Sequence, residues 1–200
     1  MRLEILERGH GRVNTFALKA MRTLGRAEPD DVVKTSLYRP ELFGRAWIAL
    51  LRQTMRGRSR WTPGERELLG AFVSRLNQCP YCTRVHSGTA TLALRTPVDG
   101  ARLERWRDGG FGARVTAAFT MLETLSLRPD EFGPPDVDAA RRAGLSTAEI
   151  DDALHVQFLF NVINRVANAL GYEWSTEADE LASIRVLHRL GYRLPRLLLR

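Results

Sequence analysis

Apolar residues recur along the chain at helical spacing, and Gly and Pro cut the pattern into segments. No segment keeps a strict apolar–polar alternation long enough to make a sheet. The prediction is an all-α protein. Residues 11–24 carry Val13, Phe16, Leu18, Met21 and Leu24, a spacing that predicts a first amphipathic helix. Residues 25–39 look like a polar connector. Pro40 then opens a second helix carrying Leu42, Phe43, Trp47, Leu50, Leu51 and Met55.

Thr62-Pro63-Gly64-Glu65 predicts a firm helix start, with Thr62 as the cap, Pro63 in the first turn and Glu65 closing a capping box. Leu68, Leu69, Phe72, Val73 and Leu76 form its apolar stripe. Asn77-Gln78 interrupts that stripe, and Pro80 suits the first turn of another helix through Cys82, Val85, His86 and Ala90. Residues 114–127 predict a further helix, followed by a Pro-rich loop at 132–135 and a short helix to about 143 that Gly144 ends. Ser146 with Glu149 repeats the capping box. The helix after it carries Ala153, Val156, Phe158, Leu159, Val162 and Ile163 and reads as buried on most sides, with Asn161, Asn164, Arg165 and Asn168 near one face. Leu181, Ile184, Leu187 and Leu190 predict a last helix before an Arg- and Leu-rich run.

Two hundred residues, 44% of them hydrophobic, are enough for one full-sized core. No window reaches the roughly 18 to 20 apolar residues of a membrane-spanning helix, and residues 1–11 lack the apolar centre of a signal peptide. The expectation is a soluble, cytoplasmic chain without a membrane partner. The net charge of +7 comes from 30 basic against 23 acidic residues, with Lys19 and Lys34 the only lysines. The arginines are scattered, as on a solvated surface, and do not draw a nucleic-acid footprint.

The chemistry concentrates in Asn77-Gln-Cys-Pro-Tyr-Cys-Thr-Arg-Val-His86, which holds both cysteines of the chain. A Cys-x-x-Cys pair at a helix start is a redox pattern, because backbone N–H groups and the positive end of the helix favour a thiolate. His86 stands four residues beyond Cys82, one turn away on the same face, where an imidazole can take the thiol proton. Glu67 is the candidate carboxylate to orient that ring. Glutaredoxins share CPYC but need a preceding strand, and an amphipathic helix precedes it here. A zinc site on Cys79, Cys82 and His86 needs a fourth ligand from His10, His155 or His188. The bland alternative is a pair of inert, buried cysteines. His155 reads as a hydrogen-bonded core histidine, the four tryptophans as packing, and Asn161, Asn164 and Arg165 as either site-lining or subunit-facing.

Glu67, eleven intervening residues, then Cys79-x-x-Cys82-x-x-x-His86 resembles the signature of the alkylhydroperoxidase D-like group of the carboxymuconolactone decarboxylase superfamily. The stretch 117–173, with Phe160-Asn-Val-Ile-Asn-Arg165, resembles its peroxidase-related branch. The resemblance covers residues 40–173 and implies a helical domain there, with an N-terminal extension over 1–39 and a helical tail over 174–200. It implies a peroxidase-type oxidoreductase without metal or cofactor, acting on a hydroperoxide, recycled by a thiol protein or small thiol, and assembled as a trimer or hexamer. Cys82 would be the attacking thiolate, Cys79 the resolving and more exposed sulfur, His86 the proton acceptor and Glu67 its partner. The decarboxylase branch lacks the cysteine pair. Tyr81 departs from those active members that carry a histidine before the second cysteine. The alternative from another class is a non-catalytic thiol redox sensor or disulfide-exchange protein of the same fold; an arginine-rich nucleic-acid binder ranks last.

Overall fold

A computed structural model of the chain describes residues 1–25, 27–108, 110–193 and 198, the side chain of Leu42 excepted. Every regular element among them is helical. The chain divides into two compact units, Met1–Arg56 with Ala167–Arg200, and Gly57–Val166.

The first unit begins with α1 (Ile5–Arg8), α2 (Arg12–Gly25), α3 (Asp31–Tyr38), α4 (Pro40–Phe43) and α5 (Arg45–Arg56). The predicted helix at 11–24 is present as α2, but it buries none of its residues: Val13, Phe16 and Leu24 are all exposed. Residues 25–39 are not a connector. Asp30 precedes α3, whose Asp31, Lys34, Thr35, Ser36 and Leu37 are buried. The polar composition concealed this helix because its charges are satisfied internally: Lys34 pairs with Glu7 at 3.0 Å, Glu28 at 3.3 Å and Asp31 at 3.3 Å. The helix predicted from Pro40 is broken at Gly44 into α4 and α5.

In the second unit α6 (Pro63–Leu76) starts on the predicted capping box, Thr62 Oγ1 accepting from Glu65 N–H at 3.2 Å and Glu65 Oε2 from Thr62 N–H at 2.7 Å. It is followed by α7 (Pro80–Leu94), α8 (Gly100–Glu104), α9 (Ala113–Leu127), α10 (Pro134–Arg142) and α11 (Thr147–Leu170). α6 and α7 form an antiparallel hairpin, and a Cβ at Gly64 would collide with Leu94. Phe72 stacks on Phe119 at 3.8 Å between centroids, with Trp106 edge-on to both. These rings, with Trp61, Leu69, Met121 and Leu122, make the buried centre of this unit. Ser146 and Glu149 form the second predicted capping box. Along α11, Ala153, Val156, Leu159 and Ile163 are buried as expected and Val162 is half-buried, but Phe158 is exposed. His155 is exposed too, its Nδ1 2.9 Å from Asp151 O, and so is not a core histidine.

α12 (Glu177–Leu190), the last predicted helix, returns the chain to the first unit and is capped by Thr176. Asp30 Oδ1 accepts from Trp174 Nε1 at 2.9 Å and Ser183 Oγ at 2.6 Å, and Asp31 Oδ2 accepts from Glu173 N–H at 3.1 Å, so acids of the early chain hold the late chain. Apart from 191–193 and Leu198, the Arg- and Leu-rich run lies outside the described residues. None of the described helices is long and apolar enough to cross a membrane.

Candidate active site

The site is built where α6 ends and α7 begins. Asn77 caps α6, and Gln78 takes the left-handed conformation at φ +52°. Gln78 N–H donates to Arg75 O at 3.0 Å and Cys79 N–H to Ser74 O at 2.9 Å. This pair of bonds is a Schellman closure, with glutamine where glycine is usual. It leaves Cys79 as the N-cap of α7 and Pro80 in the first turn, where its missing N–H costs nothing. One residue thus ends the reversal and opens the next helix.

Both thiols are reduced and buried, Cys79 at 1% and Cys82 at 3% exposure. By solvent exposure the two residues are equally inaccessible, so exposure does not single out Cys79. Their acidities nevertheless diverge. The Cys82 S–H donates to Cys79 and, against the effect of burial, this lowers the Cys79 pKa; the N–H of Cys82, the Asn164 side chain and the N–H of Tyr81 act in the same direction. The backbone groups act as favourable dipoles without closing a full cap hydrogen bond. Cys82 is pushed well above the ordinary thiol range by donating to Cys79, by burial and by the charge on Cys79, with Asn164 opposing. Of the two thiols, Cys79 is therefore the more acidic and Cys82 the one that holds its proton more tightly.

One helical turn beyond Cys82, His86 of α7 meets Glu67 of α6, Oε2 lying 2.6 Å from Nδ1 with both side chains buried. With Glu67 as carboxylate, Nδ1–H donates and Nε2 is the bare nitrogen of the neutral ring. The Phe160 ring packs edge-on against His86 at 4.6 Å between centroids. A Cβ at Gly70 would run into that phenyl ring, so the glycine is what lets Phe160 approach. The structure thus joins Glu67 to His86 and Cys79 to Cys82. The side-chain hydrogen bonds that act on the Cys82 pKa are those to Cys79 and Asn164.

Sequence reasoning left Asn164 undecided and passed over Ser74, Gly70 and the cap role of Asn77. Asn164 is fully buried; its Nδ2 donates to Ser74 Oγ at 3.0 Å and its Oδ1 accepts from Asn77 Nδ2 at 3.0 Å. A carboxamide inside an apolar helix was the visible signal, since a buried amide needs partners. Among the described residues no group of three or more His, Cys, Asp or Glu side chains is arranged to hold a metal.

Residues 41–124 match the model of the carboxymuconolactone decarboxylase family. The fold is similar to an uncharacterized peroxidase-related protein from Silicibacter sp. TM1040, with a TM-score of 0.74 at 23% identity over 89% of this chain and 93% of that one. It is likewise similar to a structure from Ralstonia eutropha JMP134 described as an alkylhydroperoxidase AhpD core and an uncharacterized peroxidase-related protein, with a TM-score of 0.72 at 21% identity over 88% and 92%. No curated protein matches the chain.

Proposed function

We propose that this chain, which belongs to the carboxymuconolactone decarboxylase superfamily and has the alkylhydroperoxidase D-like fold, is a thiol-dependent hydroperoxide reductase. The observation that carries the reading is the buried Glu67–His86 pair, with His86 one helical turn beyond two hydrogen-bonded thiols at a helix start. A thiolate, a thiol and an oriented imidazole are what reduction of an O–O bond by a cysteine pair requires.

The Cys79 thiolate attacks the terminal oxygen of ROOH, the O–O bond breaks, and the alkoxide leaves with the proton of the Cys82 thiol. The Cys82 sulfur then displaces hydroxide from the Cys79 sulfenic acid, and His86, holding the proton released when the Cys79 thiol ionised, returns it to make water. The two sulfurs lose two electrons and become a disulfide, and the peroxide gains them to become an alcohol and water. Glu67 holds the imidazole in place and steadies its protonated form. A thiol protein or small thiol reopens the disulfide by exchange. This order of attack follows the lowered pKa of Cys79 beside the raised one of Cys82 and reverses the roles that the family resemblance implies. The enzyme is read as cytoplasmic and as a homo-oligomer, trimer or hexamer, without cofactor.

Burial of both sulfurs favours a second reading, a redox sensor that oxidises without efficient recycling. Stopped-flow mixing of reduced protein with hydrogen peroxide and with an alkyl hydroperoxide, counting free thiols, tests the proposal. Rapid loss of two thiols is expected, with a trappable sulfenic acid in Cys82→Ser. Sulfenic acid in Cys79→Ser instead would give the attack to Cys82. Thiol loss no faster than that of free cysteine would sink the peroxidase reading and leave sensing or exchange.

A further inference from the structure

We propose that Asn164 is the sulfur-binding residue of the site, its side-chain N–H aimed at the cysteine pair by a one-way chain of hydrogen bonds that starts at Arg165. The inference rests on Cys79 and Cys82 being the redox centre, and it adds a residue that their motif does not contain.

The direction of the chain follows from chemistry. A guanidinium only donates, so the Asn161 atom facing Arg165 Nη1 at 2.9 Å is its carbonyl oxygen. Asn161 Nδ2 is then turned to Gln157 O at 3.2 Å. The same Asn161 oxygen accepts from Asn77 Nδ2 at 3.2 Å, and the second proton of that nitrogen goes to Asn164 Oδ1 at 3.0 Å. With its oxygen so engaged, Asn164 presents its NH2 to the opposite side. One proton goes to Ser74 Oγ at 3.0 Å, whose own proton is committed to Gly70 O at 2.7 Å. The other is left for the sulfurs: hydrogen bonding by the Asn164 side chain contributes to the lowered pKa of Cys79 and opposes the larger effects that raise that of Cys82. A flipped amide would break the bonds to Asn77 and Ser74 together. Because Asn164 is fully buried, its dipole acts on the thiolate with little screening by water.

The thiolate of either cysteine is stabilised by this N–H, so Asn164 would hold the negative charge at the site before attack and receive it again when the disulfide is reopened. Asn77, Asn161 and Arg165 are positioning residues that act through it.

The test is the pH profile of iodoacetamide alkylation of reduced protein, read for each cysteine by mass spectrometry, in wild type, Asn164→Leu, Asn164→Asp and Arg165→Met. Asn164→Leu should move the Cys79 profile up by about one pH unit, which is about tenfold in rate on its acid side. Asn164→Asp, a near-isosteric acceptor, should move it further. Arg165→Met, at an exposed position, should give a smaller shift in the same direction and is read even if a buried variant fails to fold. Profiles of folded variants that superimpose on wild type overturn the proposal. Peroxide enters none of these measurements, so a shifted profile in a protein that ignores peroxide would keep this inference while the peroxidase reading falls. Rapid peroxide turnover with unshifted profiles would do the reverse.

Discussion

Glu67 and His86 are nineteen positions apart in the chain and a single 2.6 Å hydrogen bond apart in space. α6 and α7 run antiparallel, the start of α6 lying against the end of α7, and the bond joins their inner faces between that end and the connecting turn. The contact is buried in the second unit, where a hydrogen bond lost is not made good by water.

Glu67→Gln keeps an oxygen able to accept from Nδ1–H but removes the charge that steadies a protonated ring. Peroxide-driven thiol loss is expected to slow roughly 10- to 100-fold. Stability should fall by about 1–3 kcal/mol. Stopped-flow thiol counts together with urea melts check the two effects; an unchanged rate would remove Glu67 from the mechanism.

The two thiols should part on titration. Cys79, with its pKa lowered, is expected to alkylate below the pH at which an ordinary thiol reacts, and Cys82 only well above it. Peptide mass spectrometry after short iodoacetamide pulses from acid to alkaline pH measures this directly. Equal rates at every pH, or Cys82 reacting first, would contradict the assignment of the lower pKa to Cys79.

Gly70→Ala places a methyl group against the Phe160 ring, which packs on His86. Overpacking of this kind costs about 1–3 kcal/mol. The substitution should lower the melting temperature and, by displacing Phe160, change the histidine side-chain chemical shifts. Wild-type shifts in the variant would show that Phe160 does not fix the ring.

Gln78 holds φ +52° in a turn where glycine is usual. Gln78→Gly should therefore stabilise by about 1 kcal/mol. A fall in the thermal midpoint would argue against the turn as described.

Glu149 gives the sign of one pH effect. Burial raises its pKa, but the Ser146 hydroxyl and N–H and the Arg114 guanidinium outweigh that and bring it from 4.5 down to about 2. A lowered carboxyl pKa contributes stability above the unfolded value of 4.5 and loses it as pH falls toward 2. Glu149→Gln should lower stability at neutral pH and flatten its decline between those limits, as followed by denaturant midpoints at each pH. An unchanged acid limb would show that the pair adds nothing.

Much of this could be read from local chemistry. Thr62 with Glu65, Ser146 with Glu149, and Pro80 before Cys82 mark helix starts because caps and first-turn prolines act over three or four residues. The failures have a common cause. α3 was hidden because Lys34 looks like surface until its three carboxylates are seen around it. α2 shows a clear apolar stripe, yet Val13 and Phe16 are exposed, since periodicity reports which face is apolar and not what covers it. Phe158 misled in the same way.

The sequence by itself determined the helical class, the cysteine pair at a helix start and the choice of Glu67 and His86 as its companions, because each follows from side-chain type and short-range spacing. Only the tertiary structure decided that Glu67 touches His86, that the Cys79 pKa is lowered while that of Cys82 is raised, and that Asn164, on a helix that begins 65 residues after Cys82, joins Asn77 and Ser74. Those relations depend on which faces pack and which protons remain unspent once the close partners are satisfied, and neither is fixed by neighbours along the chain.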